Sequence, residues 1–224
     1  MAQQEREPGT QAPARADDPR ERILAAASAI FLDQGFELAT VREITLRADV
    51  NVSAINYYFG SKDELLHAVL DRLMEPYTQA RLDALDAAGP GAALEQIIEA
   101  LVRPMVMLSR DASGARPLTR LLQQVRARPN EASVRFFTQR VDAAVFRFVD
   151  ALQRALPHLS RADVFWRYNF VIGAVMQVLT DSDPATFRLK RLSANLCDTG
   201  DDEEIIAQLT AFAAAGFSAS PART

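Results

Sequence analysis

The amino-acid sequence predicts an all-α protein: a small N-terminal three-helix helix-turn-helix unit, then a larger helical domain, about nine helices in total. Three observations lead there. Apolar residues recur at spacings of three and four along most of the 224-residue chain. Ser, Thr, Asp or Asn marks the helix starts, and Gly or Pro the ends. No β-branched run alternates with period two between hairpin turns, and no internal repeat is present.

Residues 1–18 are polar and carry both charge signs, so they read as a disordered arm, and without an apolar core they are no secretory signal. Asp18-Pro19 caps a first helix whose Ile23, Ala27, Ile30 and Phe31 share a face, with Gly35 as its stop. Thr40 caps a second helix with Glu43 as the return arm of a capping box, and Val41, Ile44 and Ala48 form its single apolar face. After a break at Asp49-Val50-Asn51 comes a short helix ending at Gly60. Ser61, again with a Glu three residues on, opens a helix past Leu65, Leu66, Val69, Leu70 and Leu73 to Leu85, with a kink expected at Pro76.

Gly89-Pro90-Gly91 is the plainest break. Beyond it the pattern predicts helices at roughly 92–109 (bent at Pro104), 117–126, 131–156, 160–180 and 201–217, a loop through 111–114, and a short helix within 187–196. The organisation is thus an arm at 1–18, a helix-turn-helix domain at 19–66 and a helical domain at 67–218.

Composition excludes several function classes. Hydrophobic residues make up 49% and charged residues 24%, the balance of an ordinary globular protein. No apolar stretch is long enough to span a membrane, so no membrane partner is expected. Cys197 is the only cysteine and the histidines number two, so neither a disulfide nor a metal site is expected and a reducing cytoplasm is the natural setting. No Ser/His/Asp or Cys/His set and no Gly-rich phosphate loop points to an enzyme, and no cofactor is implied. The net charge of −4 does not advertise nucleic acid. Between Arg20 and Leu66 five basic residues face seven acidic ones, so DNA binding would have to rest on placement rather than bulk charge.

Residues 40–59 have that placement. A first helix of about nine residues, a tight turn and a second short helix make a helix-turn-helix. Ile55 and Phe59 are four apart on the inner face. Val52, Ser53, Ala54, Asn56 and Tyr57 point outward, small or hydrogen-bonding types suited to base edges in a major groove. Thr40 and Ser61 sit at helix N-termini where backbone N–H groups can bind phosphate, with Lys62 beside one of them. Spacing alone is equally compatible with an ordinary capped helix pair.

The run GFELATVREITLRADVNVSAINYYFGSKDELL resembles the DNA-binding domain of the tetracycline-repressor (TetR) family over residues 20–66. The resemblance implies a double-stranded operator as partner, with Thr40, Arg42, Asn51, Ser53, Ala54, Asn56, Tyr57, Tyr58, Ser61 and Lys62 at the DNA. Two departures stand out: Asp49 occupies the turn position usually held by glycine, and Asn56 opens the aromatic run where tyrosine is more common. The resemblance further implies a variable helical C-terminal half that binds a small molecule and forms a homodimer. LTRLLQQVRARPNEASVRFF, VFWRYNFVIGAV and QLTAFAAAGF are similar to the PsrA-like repressors, which implies a fatty acid or fatty acyl-CoA effector.

The residues of that half are compatible with an apolar effector. Met105, Leu108, Phe137, Val141, Trp166 and Phe170 are candidates for an adaptable pocket, with Arg120 and Asn169 for its polar end. Arg126 and Arg167 are further polar groups on otherwise apolar helices. Plain core packing is the simpler and commoner reading of the apolar set. For a dimer seam the repeating positions are Tyr168, Ile172, Val175 and Leu179, with Leu209, Phe212 and Phe217 on the last helix. Both stripes could instead face the chain's own core. The function expected is a ligand-released repressor on a palindromic operator; a helical small-molecule-binding or adaptor protein would leave 40–62 without a purpose.

Overall fold

A computed structural model describes residues 18–110 and 116–221. The predicted arm, Asp18 excepted, and the loop at 111–114 lie outside the described residues. The helices are α1 (Pro19–Gln34), α2 (Val41–Arg47), α3 (Ser53–Phe59), α4 (Lys62–Ala88), α5 (Leu94–Met107), α6 (Pro117–Ala127), α7 (Glu131–Phe136), α8 (Asp142–Ala155), α9 (Arg161–Asp181), α10 (Arg188–Leu192) and α11 (Asp202–Ser218). A π turn at Phe137–Val141 joins α7 to α8, so the predicted 131–156 helix is one rod with a local bulge. No strand occurs among the described residues.

Side-chain caps start the helices where the sequence places them. Asp18 accepts from the Arg20 N–H at 3.0 Å, Thr40 from Glu43 at 3.1 Å, Ser61 from Glu64 at 3.1 Å and Ser160 from Asp163 at 3.1 Å. The return arms expected at the second and fourth helices take other partners. Glu43 accepts from the Gln34 side chain at 2.8 Å, and Glu64 pairs with Arg135 of α7. Asp49 holds a left-handed backbone with φ 51°, which an Asp tolerates better than most residues. α4 continues through Pro76, and α5 through Pro104.

Two hydrophobic cores divide the molecule. The first gathers Ile23, Phe31, Ile44, Ile55, Leu65 and Leu66 from α1–α4, and it is completed by Leu118, Leu121 and Val125 of α6 and Phe136 of α7. The second holds Ile98, Leu101, Phe148, Val164, Val175 and Ile205 from α5, α8, α9 and α11, with Leu85 at the far end of α4. α4 therefore runs from one core into the other, and α6, distant in sequence, packs with the N-terminal helices. Gly35 makes that packing possible. Its φ is +88°, and a Cβ there would stand 2.1 Å from the Gln124 side-chain oxygen.

A buried arginine ties the second unit together. Arg116, fully buried, donates from Nε to Ser182 Oγ at 2.8 Å, from Nη1 to the Val106 carbonyl at 2.9 Å and to Ser109 Oγ, and from Nη2 to Asp202 Oδ1 at 2.6 Å. Asp202 also accepts from Arg110 at 2.8 Å. The ends of α5, α9 and α11 and the start of α6 are thereby locked to one guanidinium.

The predicted dimer stripe needs correction. Tyr168, Val175, Leu179, Leu209 and Phe217 are buried within this chain, and Ile172 packs against the same core. Their three-and-four spacing marks the inward faces of α9 and α11. Of the predicted set, Phe212 alone lies outward, 66% exposed.

Candidate nucleic-acid interface and inner cavity

α3 is seven residues long and held by one face. Ile55 is fully buried, contributing about 2 kcal/mol by apolar burial. Phe59 and Tyr58 pack partly into the same core, and the Arg20 guanidinium stacks 5.1 Å over the Phe59 ring. The opposite face is bare. Ser53 and Asn56 are exposed, Tyr57 is 82% exposed, and Val52 extends the face at the N-terminal end. The Tyr57 ring meets Tyr58 edge to face at 4.9 Å, which fixes the direction of the protruding phenol. Thr40 and Arg42 are exposed on neighbouring α2.

The other predicted contacts have local duties. Asn51 Oδ1 accepts from the Ser53 N–H at 3.0 Å and from Ser53 Oγ at 3.1 Å, so it caps α3. Ser61 Oγ caps α4, and Ala54 is half-buried against the core. Lys62 turns inward. Its ammonium donates to the Phe36 carbonyl at 2.7 Å and lies 4.3 Å from the Phe36 ring centroid. Burial lowers its pKa, with Glu37 and Asp63 pulling the other way. Leu46, 81% exposed on α2, is a surface apolar residue that spacing did not single out.

The residues predicted for an effector pocket do not converge. Trp166 and Phe170 are 63% and 60% exposed on the outer face of α9, stacked on each other at 5.8 Å, and Asn169 is exposed beside them. Phe137 and Val141 pack on the N-terminal core instead, and Leu108 is partly exposed at the end of α5. The polar candidates are occupied: Arg120 faces Asp183 at 3.5 Å, Arg126 covers the Phe137 ring at 5.0 Å, and Arg167 donates to the carbonyls of Phe217, Ala219 and Ser220 behind α11. Only Met105 borders an internal space, a cavity of about 40 Å³ between α4, α5, α6 and α9. Its other walls include Met74, Tyr77, Arg81, Thr119 and Met176. The Tyr77 hydroxyl donates to the Leu108 carbonyl at 2.6 Å, and burial raises its pKa.

Sequence reasoning passed over Arg81 and Arg116. Arg81 had a signal: Met74, Tyr77, Arg81 and Leu85 follow one another at helical spacing, so a cation stands in an apolar stripe. Arg116 had none, because it precedes Pro117 in a stretch with no periodic frame.

Among the described residues no helix is long and apolar enough to cross a membrane, and no acidic, His or Cys cluster could hold a metal ion. Comparison with known proteins covers both units. The family described as "Bacterial regulatory proteins, tetR family" matches residues 23–69, and "Tetracyclin repressor-like, C-terminal domain" matches residues 99–216. The HTH-type transcriptional repressor NicS of Pseudomonas putida is 36% identical over 85 residues, 38% of this chain and 40% of NicS. The chain thus spans about two fifths of that relative's length. An HTH-type transcriptional repressor of Mycobacterium tuberculosis is 29% identical over 175 residues, 77% of this chain and 83% of the other. The crystal structure of AibR in complex with isovaleryl coenzyme A and operator DNA shares the fold, with a TM-score of 0.58 at 18% identity, covering 87% of this chain and 97% of AibR.

Proposed function

The chain belongs to the TetR family of bacterial regulatory proteins, and from that premise we propose that it is a ligand-controlled repressor that binds a palindromic operator as a homodimer in the cytoplasm. The observation that carries this reading is α3: a helix anchored by Ile55 and Phe59 whose outer face offers Ser53, Asn56 and Tyr57 with nothing packed on them. Ser53 and Asn56 suit base edges in the major groove, and the Tyr57 hydroxyl suits a phosphate. Thr40 and Arg42 add backbone contacts from α2. Lys62 contributes to a phosphate only through the N–H bonds that Phe36 leaves over.

Trp166 and Phe170 of α9 and Phe212 of α11 support the dimer, since they form outward apolar faces on the two helices whose inner faces make the second core. An open groove lined by Ala174, Val178, Leu196 and Phe212 continues that surface. Two protomers joined there would set their α3 helices on half-sites about one helical turn, or slightly more, apart. An acyl effector in the C-terminal half would release DNA by favouring a different spacing, and only through its differential affinity for the two states.

Mobility shift with duplex from the gene's own upstream region, at about 0.1 M salt, tests the reading. The expected result is retardation at sub-micromolar protein that a scrambled duplex does not compete away. Equal retardation of both duplexes, or none, would remove it.

A further inference from the structure

Two buried arginines hold the C-terminal half, and they are treated differently. Arg116 has a carboxylate, two hydroxyls and a carbonyl around it. Arg81, on α4, is only 4% exposed and has no carboxylate acting on it. Its guanidinium meets the Tyr168 hydroxyl and, through Nη1, Met105 Sδ at 4.0 Å, while its Nε and Nη2 have no hydrogen-bond partner. An uncompensated buried cation is costly, and a fold that merely needed bulk at this place would be better served by an apolar side chain. Burial lowers the guanidinium's pKa and the Tyr168 hydroxyl from α9 opposes the shift, yet an arginine keeps its proton.

The unpaired atoms are the informative ones. Nε–H and one Nη2–H run parallel along one edge of a guanidinium, the fork that a carboxylate fits with both oxygens. Arg81 lines the inner cavity, where Tyr77, Thr119 and Ser109 supply neutral hydroxyls rather than a competing acid, and Tyr168 holds the guanidinium from α9. Three of the chain's five methionines, Met74, Met105 and Met176, line the same space. At about 40 Å³ it admits little more than a water or two, so a larger guest must push these adaptable side chains aside.

The geometry points to Arg81 as the receptor for the carboxylate of a small organic acid, whose apolar tail displaces the methionine wall. This rests on the repressor reading and names the chemical class of its effector: a free monocarboxylate rather than the bulky coenzyme A ester. The position also supplies the transmission. A guest between α4 and α6 separates the two helices that pack on the N-terminal core, α4 through Leu65 and Leu66 and α6 through Leu121 and Val125.

Calorimetric titration of the full chain with hexanoate, phenylacetate, hexanoyl coenzyme A and methyl hexanoate tests this. At least one free acid should bind, the neutral ester at least about tenfold more weakly, and Arg81→Met should lose the acid by a similar factor while keeping its far-ultraviolet spectrum. Arg81→Lys, which keeps the charge but not the fork, should recover only part of the affinity. Tyr168→Phe provides a milder variant should Arg81→Met fail to fold, and should weaken the acid without affecting the ester. Acid affinity unchanged in both Arg81→Met and Tyr168→Phe, ester binding equal to acid binding, binding confined to the coenzyme A ester, or no binding by either acid would overturn the proposal. Duplex retardation without ligand is read separately: if it persists while the acids fail, this site falls alone, and if it is absent while the acids bind, the repressor reading falls and the site stands.

Discussion

The N-terminal unit and the C-terminal half place their polar residues on opposite sides. Around α3 the interior is apolar and the hydrogen-bonding side chains, Ser53, Asn56 and Tyr57, face out. In the C-terminal half the outward faces of α9 and α11 carry Trp166, Phe170 and Phe212, while two arginines lie inside. The first arrangement suits recognition at a surface, and the second suits assembly through a surface and recognition within. The contrast repeats inside the C-terminal half, where Arg116 is saturated by its neighbours and Arg81 is not.

The largest expected effect separates those two arginines. Arg116→Met takes from Asp202 one of its two arginine partners and from two serine hydroxyls their buried donor, and should cost about 3–5 kcal/mol in denaturant unfolding. Arg81→Met removes an unpaired charge and should cost nothing or raise the midpoint. Equal losses would erase the distinction on which the two roles rest.

Ile55→Ala comes next. It empties the space under α3 and should cost about 2–5 kcal/mol. DNA binding should fall while the proposed dimer, measured by sedimentation, persists. Loss of the dimer as well would mean that the two units do not divide the work.

Gly35→Ala should cost roughly 1 kcal/mol or more, because alanine must adopt a φ of +88° and its Cβ meets Gln124. Adding Gln124→Ala should recover the steric part of the loss and leave the backbone part. Full recovery would show that the glycine serves space alone.

The smallest effect is in acid. Burial by itself would raise the Asp202 pKa, but the hydrogen bonds from Arg110 and Arg116 together hold it below the ordinary carboxylate range. Its contribution is therefore complete above the unfolded value of about 3.9 and is lost as pH falls through the lower folded value. Stability measured from neutral pH downward should drop along that limb, and the limb should be shallower in Arg116→Met, where Asp202 loses a partner. An identical limb in the variant would remove Arg116 as the cause.

The N-terminal unit was legible because its determinants are local. Caps at Thr40 and Ser61, the stop at Gly60 and the pair Ile55 and Phe59 each lie within a few residues of what they control. Lys62 escaped that logic, since its partner is the Phe36 carbonyl, 26 residues away. In the C-terminal half the helices were legible and their facing was not. α9 carries Trp166 and Phe170 on one side and Tyr168, Val171 and Val175 on the other, so periodicity marks a helix without saying which stripe is covered. The cavity is assembled from four helices, and no single stretch of sequence contains it.

The central claim is that the outer face of α3 reads a sequence. Affinity for the upstream duplex relative to a scrambled one, at a single stated salt, measures it in the intact protein and in Ser53→Ala/Asn56→Ala. The intact protein should prefer its own site by at least about a thousandfold, and the variant should lose most of that ratio while retaining weak, salt-sensitive binding to both duplexes. A ratio left unchanged in the variant would contradict the account, because base discrimination would then reside elsewhere in the molecule.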